Sequence, residues 1–423
     1  MNVSLFGPKK LGFGMMRLPM IPGENGAPDR VDTDQVCRMV DDFIARGFCY
    51  FDTAHGYLGG LSEQAVRTCL SSRYPRDRYL LTDKLSDSFF HKEEDIRPFL
   101  ESQLEACGVE YFDFYLLHAL SRNNYEQFCR CNAFEVAQQL KAEGKIRHVG
   151  FSFHDKPEFL DRVLTEHPEI EAVQIQFNYA DFEDPDVQSH AVYDVCRRHG
   201  KPVIIMEPVK GGRLAQLPAA AAAELEKLHG GSAASYAVRF AASFEGVEMV
   251  LSGMSSAEQM QDNLSYMQNF RPLDGAEKAA VARACTVLKS QDIIPCTNCR
   301  YCVAGCPKNI LIPDLFACLN ARKQYQDWDR DFYYRVTTEG HGKAGASGFL
   351  TCMLPKTGPR ALRGGPFLAD KVKKLTSARS SRRLLPASSG CPPPQPSEPA
   401  PSAWPRGSQR ASWLPSGKRR SAP

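Results

Sequence analysis

The sequence predicts an α/β protein, an eight-fold (β/α)8 barrel of the TIM type, and three observations support this prediction. Short apolar runs alternate with helical stretches from Leu11 to about Gln268. Eight such units fit into about 260 residues, the usual size of one barrel. No strand-like run is followed by GlyxGlyxxGly and a helix, since Gly12-Phe-Gly14 leads into MetMetArgLeuPro. The alternative, a doubly wound sheet, is therefore less favoured.

The predicted strands are short and mostly apolar, as expected for strands that are buried on both faces. They cover residues 11–16, 49–52, 79–84, 113–118, 148–152, 172–177, 202–206 and 248–252. The predicted helices lie at about 34–46, 62–70, 95–107, 124–143, 156–166, 187–199, 232–243 and 256–268, and another follows at about 275–290. Thr33 is the predicted N-cap of the first helix, and Gly47 is predicted to end it.

Composition divides the chain into three parts. Residues 1–285 form the predicted barrel, residues 286–343 a cysteine-containing segment, and residues 344–423 a tail. The tail holds 13 of the 29 prolines and carries 14 Lys and Arg against 2 Asp and Glu. Such a segment cannot bury enough apolar surface to offset its ordering entropy, so we expect the tail to be disordered.

Charge and hydropathy exclude several classes of protein. The net charge of +3 comes from the basic tail, so the residues before it are net negative and predict no nucleic-acid binding. The first ten residues lack the apolar core of a signal peptide. No window approaches the ~20 apolar residues that cross a bilayer, so we expect no membrane association and a cytoplasmic location.

Four polar residues fall at or just after the ends of three successive predicted strands. Asp52, Lys84 and His118 each close a strand, and Tyr57 lies in the loop that follows Asp52. Taken singly, each has a structural explanation: a turn or helix cap for the aspartate, packing for the tyrosine, a hydrogen-bonded core position for the histidine. Because strand ends of a parallel barrel converge on one mouth, we instead expect all four to form one site.

These residue types together can protonate a carbonyl oxygen. The ordinary pKa of tyrosine is about 10, which makes it a poor acid at neutral pH. A nearby lysine ammonium stabilises the phenolate and lowers that pKa, and an aspartate holds the ammonium in place. A histidine can orient a carbonyl or relay a proton.

Six stretches of the barrel resemble the aldo-keto reductase family. They are LeuGlyPheGlyMetMetArgLeu (11–18), PheAspThrAlaHisGlyTyr (51–57), TyrLeuLeuHis (115–118), GlyLysIleArgHisValGlyPheSer (144–152), GlnIleGlnPheAsn (174–178) and GlyMetSerSerAlaGluGlnMetGlnAspAsn (253–263). The resemblance implies hydride transfer between NADP(H) or NAD(H) and an aldehyde or ketone. It also implies that Tyr57 is the general acid, that Lys84 and Asp52 tune it, and that His118 positions the carbonyl.

The resemblance implies cofactor contacts as well. Asp52 and Met15 would lie near the nicotinamide, and Ser152 and Gln174 would bind its carboxamide. The predicted contacts at the other end of the cofactor are Ser255 and Gln259 at the adenosine phosphate, and Asp262 and Asn263 at the adenine. A helix N-terminus favours anions, although Ser255-Ser256 has an equally simple explanation as a helix cap.

Three positions depart from the family's usual pattern, and one of them is Phe153, where many members have an asparagine after the serine of the fifth strand. Met206 stands where many members have an aromatic residue that stacks on the nicotinamide, and Gln259 stands where an arginine often binds the 2′-phosphate. Because a bidentate arginine is the strongest selector for that phosphate, the choice between NADP and NAD stays open.

Cys296, Cys299, Cys302 and Cys306 follow the spacing C-x2-C-x2-C-x3-C-P, which is typical of bacterial ferredoxins. We expect a 4Fe-4S cluster here rather than zinc, which usually takes two well-separated pairs of ligands. The segment resembles the ferredoxin-like extension of one aldo-keto reductase subgroup, where a second cysteine run follows GluGlyHisGlyLysAla. Here that stretch (339–344) leads into the basic tail, which predicts an incomplete ligand set and suggests a frame shift near Ala344.

The sequence thus predicts an NAD(P)H-dependent aldo-keto reductase with an iron–sulfur appendage, acting on a small carbonyl substrate. The alternative is a non-catalytic redox-sensing or electron-transfer protein that uses the barrel only to bind nicotinamide. In either case a redox protein is a candidate partner of the cluster. A metal-dependent hydrolase is not expected, because the strand ends lack paired carboxylates or histidines.

Overall fold

Eight parallel strands close into a barrel in the structure, which is a computed structural model. In chain order the strands are β1 (Leu11–Gly14), β2 (Met20–Ile21), β3 (Arg30–Val31), β4 (Tyr50–Asp52), β5 (Leu80–Leu85), β6 (Phe112–Leu120), β7 (Ile146–Phe153), β8 (Ala172–Gln176), β9 (Val203–Met206) and β10 (Val247–Gly253). The barrel order is β1-β10-β9-β8-β7-β6-β5-β4, and β2 pairs with β3 in a separate antiparallel hairpin. The predicted barrel is confirmed.

The structure describes residues 5–23, 29–185, 187–228, 230–290, 294 and 311–325. These residues all belong to one unit that spans Met1–Thr357. The predicted cluster ligands Cys296, Cys299, Cys302 and Cys306 and the tail 344–423 lie outside the described residues. In the described part of the chain, no helix combines the length and apolar character needed to cross a bilayer.

The helices surround the barrel, mostly where the sequence predicts them. They are α1 (Thr33–Ala45), α2 (Leu61–Val66), α3 (Glu93–Cys107), α4 (Tyr125–Arg130), α5 (Ala133–Ala142), α6 (Pro157–Glu166), α7 (Ser189–Arg198), α8 (Ala219–Glu226), α9 (Ala233–Ala242), α10 (Ala257–Met267), α11 (Gly275–Lys289) and α12 (Ile312–Tyr325). The predicted helix 275–290 is α11, and α8 was not predicted from its alanine-rich sequence.

Three local features differ from the predictions. The N-cap of α1 is Asp32, whose side chain accepts a hydrogen bond from Gln35 N, so the prediction of Thr33 as cap is wrong. The predicted helix 124–143 is two helices, because Asn132 adopts a left-handed conformation (φ 49°) between them. A π-helical turn, Arg67–Ser71, ends the helix that begins with α2.

Alternate strand positions divide the core into two clusters. Residues such as Phe51 and Tyr115 face the helices, whereas a small cluster fills the barrel interior. The interior residues are Phe6, Tyr50, Phe114, Leu116, Ala172, Ile204, Met249 and Leu251. Gly150 is required at its position on β7, because a Cβ there would lie 2.5 Å from the carbonyl oxygen of Ala172 on β8. The interior is therefore a packed core, and only its carboxyl-terminal mouth is left for chemistry.

Candidate active site

A buried ion pair lies at the mouth of the barrel. Lys84 Nζ lies 2.7 Å from Asp52 Oδ1 and donates a second hydrogen bond, 2.6 Å long, to the carbonyl oxygen of Thr53. The Lys84 side chain is fully buried and that of Asp52 nearly so. The strands bring the two residues together because Asp52 pairs in register with Thr82, two residues before Lys84 on β5.

A tight turn places Tyr57 beside this pair. Tyr57 N donates to Ala54 O, and Leu58, Gly59 and Gly60 all have positive φ, which two glycines make accessible. The turn directs the Tyr57 ring inward, and Lys84 Nζ lies 4.7 Å from the ring centroid. The phenol and the ammonium are therefore in contact, as the sequence predicts.

The pKa values of this pair differ in part from the expectation. Burial raises the pKa of Tyr57, and Lys84, which lowers it, does not fully compensate. Burial alone would lower the pKa of Lys84, but the charges of Asp52 and Tyr57 outweigh it and raise the pKa to about 12. The sequence predicted the effect of the ammonium and not the larger cost of desolvation. At neutral pH, Tyr57 is a protonated phenol beside a charged lysine.

His118 faces Tyr57 across the mouth, with the ring centroids 6.1 Å apart. Its Nδ1 lies 2.6 Å from Ser86 Oγ. Burial, together with the charge of Lys84, holds the pKa of His118 well below its usual value, so the imidazole is neutral at pH 7. A serine that donates to Nδ1 leaves the hydrogen on Nε2, the arrangement that can donate to a carbonyl oxygen.

The residue after His118 is strained, and one of the predicted cofactor residues holds it in place. Ala119 has a φ of 53°, and its N–H donates to Ser152 Oγ at 2.7 Å. Left-handed conformations of non-glycine residues are costly and tend to occur at functional sites. Ser152 lies on β7 at the mouth of the barrel, and through this hydrogen bond it also fixes the backbone at the end of β6.

The remaining residues predicted near the nicotinamide lie on other strand ends. Gln174 Nε2 donates to Asp52 Oδ2 at 3.1 Å, across the barrel from β8 to the opposite strand β4. Met15 is fully buried directly after β1, and its carbonyl oxygen accepts a hydrogen bond from Ser62. Met206 ends β9 and is partly buried. All of them share the carboxyl-terminal mouth with Tyr57.

A second group of predicted residues lies where α10 begins. Ser256 is the N-cap, its side chain accepting from Gln259 N, while Ser255 N donates to Gln259 Oε1. Asp262 accepts a hydrogen bond from Ser232. Asn263 is buried, its Nδ2 donates to Gln259 O, and its Oδ1 has no hydrogen-bond partner among the described residues. An orphan buried acceptor fits a ligand that carries an amino group.

No role was predicted from the sequence for the basic residues that lie between the residues near Tyr57 and the start of α10. Arg17 follows β1, and its carbonyl oxygen accepts from Ser255 Oγ. Lys210, after β9, forms an ion pair with Asp181. The loop before Lys210 is strained at Glu207, with a φ of 55°. A lysine and two glycines after a strand (Lys210-Gly211-Gly212) were the available signal for a basic loop at the mouth.

A buried carboxyl pair behind the active site was also missed. Glu63 and Asp83 are both buried, and their carboxylates and the Cys107 thiol lie within 4.8 Å of one another. Burial, together with the charge of Glu63, raises the pKa of Asp83 well above its usual value. Glu63 also lies 2.8 Å from the imidazole of His55, which stands between Asp52 and Tyr57 in sequence. The run ThrAspLys contains Asp83, but nothing local indicates that it is buried.

A cavity of about 330 Å³ lies beside the mouth, at the ends of β6, β7 and β8. Its lining includes Arg122, Phe153, His154 and Gln176. The side chain of His154 is exposed, and partial desolvation by the surrounding residues lowers the pKa of its imidazole. The cavity has the size of a small-molecule site.

A closed barrel of eight parallel strands with Asp52, Tyr57, Lys84 and His118 at its mouth places the protein in the class of (β/α)8 barrels. The model of the Aldo/keto reductase family matches residues 10–284. The chain belongs to this family, whose members are NAD(P)H-dependent oxidoreductases.

Several curated proteins are similar to the chain. The NADH-specific methylglyoxal reductase of Escherichia coli (strain K12) is 26% identical over 225 residues, which cover 48% of this chain and 65% of that protein. The L-galactose dehydrogenase of Arabidopsis thaliana is 24% identical over 284 residues, which cover 62% of this chain and 85% of that protein. The chain thus spans just under two thirds of the first relative.

Solved structures share the fold. An aldo-keto reductase from Bacillus halodurans in its holo form superposes with a TM-score of 0.52 at 23% identity, covering 65% of this chain and 91% of that one. An aldo-keto reductase from Klebsiella pneumoniae in complex with NADPH superposes with a TM-score of 0.51 at 22% identity, covering 65% of this chain and 90% of that one. At these identities the likeness shows the barrel.

Proposed function

We propose that the protein transfers hydride between NAD(P)H and an aldehyde or ketone, with Tyr57 as general acid. The observation that carries this proposal is the contact of Tyr57 with Lys84 Nζ, which is itself held by Asp52. A charged ammonium that is fully buried beside a phenol has one clear chemical use, which is to stabilise the phenolate that forms when the proton leaves.

The residues divide the work as follows. Lys84 remains charged because its pKa is about 12, and it stabilises the negative charge that develops on Tyr57. The neutral His118 donates a hydrogen bond to the carbonyl oxygen and so orients it toward the phenol. The nicotinamide, when bound, supplies the hydride. Asp52 keeps the Lys84 ammonium between itself and the phenol throughout.

The described residues fit a dinucleotide along the mouth. Gln174 presents its amide at the nicotinamide end, where it contacts Asp52, and Ser152 pairs with Gln174 on the neighbouring strand. The basic residues Arg17 and Lys210 lie along the path toward α10. Asn263 supplies the orphan buried acceptor at the far end. The proposed cofactor contacts also include Met15, Met206, Ser255, Gln259 and Asp262. These residues exclude neither NADP nor NAD.

The substrate proposed is a small carbonyl compound. The cavity of about 330 Å³ admits a small molecule, and its lining combines an apolar side chain (Phe153), polar ones (His154, Gln176) and charged ones (Arg122, Asp155, Lys156). The opening lies on the same side of the barrel as His118, since β6 carries both His118 and the loop to Arg122.

Tyr57→Phe tests the proposal. Loss of the general acid should lower kcat for aldehyde reduction by roughly 10²–10⁴-fold, while the affinity for NADPH or NADH stays unchanged. Steady-state oxidation of both cofactors with a panel of aliphatic and aromatic aldehydes and ketones provides the rates. Tyr193→Phe is the matched control. Tyr193 lies on α7, and its hydroxyl donates a hydrogen bond to the carbonyl oxygen of Glu245 and not to any group at the mouth. Wild-type protein that oxidises neither cofactor with any carbonyl, or full activity in Tyr57→Phe, would refute the role.

We also propose that Cys296, Cys299, Cys302 and Cys306 bind an iron–sulfur cluster of the 4Fe-4S type. The support is the C-x2-C-x2-C-x3-C-P spacing alone. We expect less than one four-iron cluster per chain after anaerobic purification, because a second cysteine run is missing from the sequence. An iron count with an absorbance spectrum measures this; eight irons per chain, or zinc in place of iron, would contradict it.

A redox protein that exchanges single electrons would be the partner of such a cluster. The proposed location of the protein is the cytoplasm, which is reducing. The support is the use of cysteine: none of the nine described cysteines is in a disulfide. The non-catalytic alternative has less support, because a sensor that only binds nicotinamide has no use for the buried Tyr57–Lys84 contact.

A further inference from the structure

Two cysteines that play no part in the proposed reaction lie in direct contact. Cys37 is on α1, Cys69 is in the π-helical turn Arg67–Ser71, and their sulfur atoms are 2.8 Å apart. Cys69 is fully buried and Cys37 is partly exposed. A disulfide has an S–S distance of about 2.05 Å, so the two sulfurs need to approach by less than 1 Å to form one.

An arginine holds the two cysteines together. Arg73 Nη1 donates to the carbonyl oxygens of both Cys37 (3.3 Å) and Cys69 (3.2 Å), while Nη2 forms an ion pair with Asp41 at 2.9 Å. One guanidinium group thus connects the backbones of α1 and the π-helical turn. The contact between the thiols therefore depends on fixed main-chain geometry, and not on side-chain rotamers alone.

The segment between the two cysteines contains half of the candidate active site. It runs from α1 through β4 to the turn after α2, and it includes Asp52 and Tyr57. A covalent link between its ends would close a loop around both residues. π-helical turns are rare and occur frequently at functional sites, which makes this junction an unusual place for an inert cysteine.

We propose that Cys37 and Cys69 are a reversible redox site that hydrogen peroxide or an organic hydroperoxide converts into a disulfide. The sulfur of Cys37 attacks the peroxide, forming an S–O bond as the O–O bond breaks, and the leaving hydroxide takes up a proton. The sulfur of Cys69 then attacks Cys37, forming the S–S bond, and the hydroxyl group departs as water with the Cys69 proton. Two thiols lose two electrons in all, and the peroxide is reduced to two molecules of water or to water and an alcohol.

The order of the steps follows from exposure and protonation. Burial and the hydrogen bond with Cys37 raise the pKa of the Cys69 thiol, so Cys69 remains protonated. Cys37 is the one that solvent can reach, since it is partly exposed whereas Cys69 is fully buried. Cys37 is therefore the peroxide-reacting thiol and Cys69 the resolving thiol.

Peptide mapping after graded peroxide treatment tests the proposal directly. Trypsin releases Cys37 in the peptide Val31–Arg38 and Cys69 in Thr68–Arg73, and each peptide contains one cysteine. We expect these two peptides to appear cross-linked, two hydrogen atoms lighter than their sum, in nearly every chain, and to separate again with dithiothreitol. Cys37 recovered as sulfinic or sulfonic acid beside an intact Cys69 thiol, or linked to a different cysteine, would overturn the proposal.

Variants extend the test to stability. Oxidation should raise the Tm of the wild-type barrel by roughly 5–10 °C, because the link constrains a loop of the unfolded chain. Cys37→Ser should abolish this rise, whereas Cys129→Ser, which removes an exposed thiol elsewhere, should keep it. An oxidised wild type with the Tm of the reduced protein would show that the two sulfurs do not form this link.

Discussion

Lys84 and Asp52 form a salt bridge, 2.7 Å long, from which water is excluded. Removing two charges from water costs several kcal/mol per ion, and a neighbouring charge repays that cost only with good geometry. Here the ammonium has a second acceptor in Thr53 O, and the carboxylate has a second donor in Gln174. Both charged groups therefore have hydrogen-bond partners, but their burial still costs folding free energy. Such a cost is expected where a charge is needed for chemistry more than for stability.

Breaking this pair should destabilise the fold as well as abolish activity. Lys84→Met leaves the buried carboxylate of Asp52 without its counter-charge, which should cost about 3–5 kcal/mol in the free energy of unfolding. Urea denaturation measures the change. Arg162→Met is the matched control, because it breaks an exposed pair with Glu166 and should change stability by less than about 1 kcal/mol. Equal effects in the two variants would mean that the Lys84 pair is not buried in solution.

The pH dependence of carbonyl reduction should report the raised pKa of Tyr57. A general acid works only while it is protonated, and a raised pKa keeps it protonated to higher pH. We expect kcat for reduction to be level from pH 7 to 9 and to fall only above about pH 10, the pKa of an unperturbed tyrosine. Oxidation of the corresponding alcohol needs the phenolate and should instead rise with pH. A basic limb of the reduction profile near pH 7 would assign the acid to another group.

Ser86 should position His118 without taking part in chemistry. Removing its hydroxyl in Ser86→Ala leaves Nδ1 of His118 without its partner and lets the ring turn. A hydrogen bond of this kind contributes about 0.5–1.5 kcal/mol, so kcat should fall by roughly 2–10-fold while cofactor affinity is unchanged. Ser102→Ala, at an exposed position on α3, is the control. An unchanged kcat in Ser86→Ala would show that His118 is oriented by other contacts.

Asp83 should make the protein less stable as pH rises. Its pKa is raised in the folded state, so the folded protein keeps a proton that the unfolded chain loses above about pH 4. Stability is therefore lost as pH increases through this range, by roughly 1 kcal/mol per pH unit for one proton. Asp83→Asn keeps an acceptor for Lys84 N and needs no proton.

The difference in unfolding free energy between Asp83→Asn and the wild type should accordingly grow in favour of the variant between pH 4 and 7. Denaturation at several pH values measures it. A difference that is independent of pH would mean that Asp83 is ionised in the folded protein.

The strand pattern and the order of the helices could be predicted well from local sequence, because apolar runs and helix stops are properties of neighbouring residues. Predictions failed where one residue decides: Asn132 divides a helix that otherwise has a continuous pattern, and Asp32 caps α1 one residue before Thr33. The meeting of Asp52, Tyr57, Lys84 and His118 could also be predicted, since the geometry of a parallel barrel brings successive strand ends together.

The sequence by itself determined the barrel, the family and the residue types at the mouth, because these depend on periodicity and on motifs that are short and local. The tertiary structure alone decided the net pKa of Tyr57, the contact of Gln174 with Asp52, the burial of Asp83 beside Glu63, and the pairing of Cys37 with Cys69. The physical reason is the same in each case: desolvation and contacts between distant strands and helices depend on how the closed barrel packs, and no run of neighbouring residues encodes them.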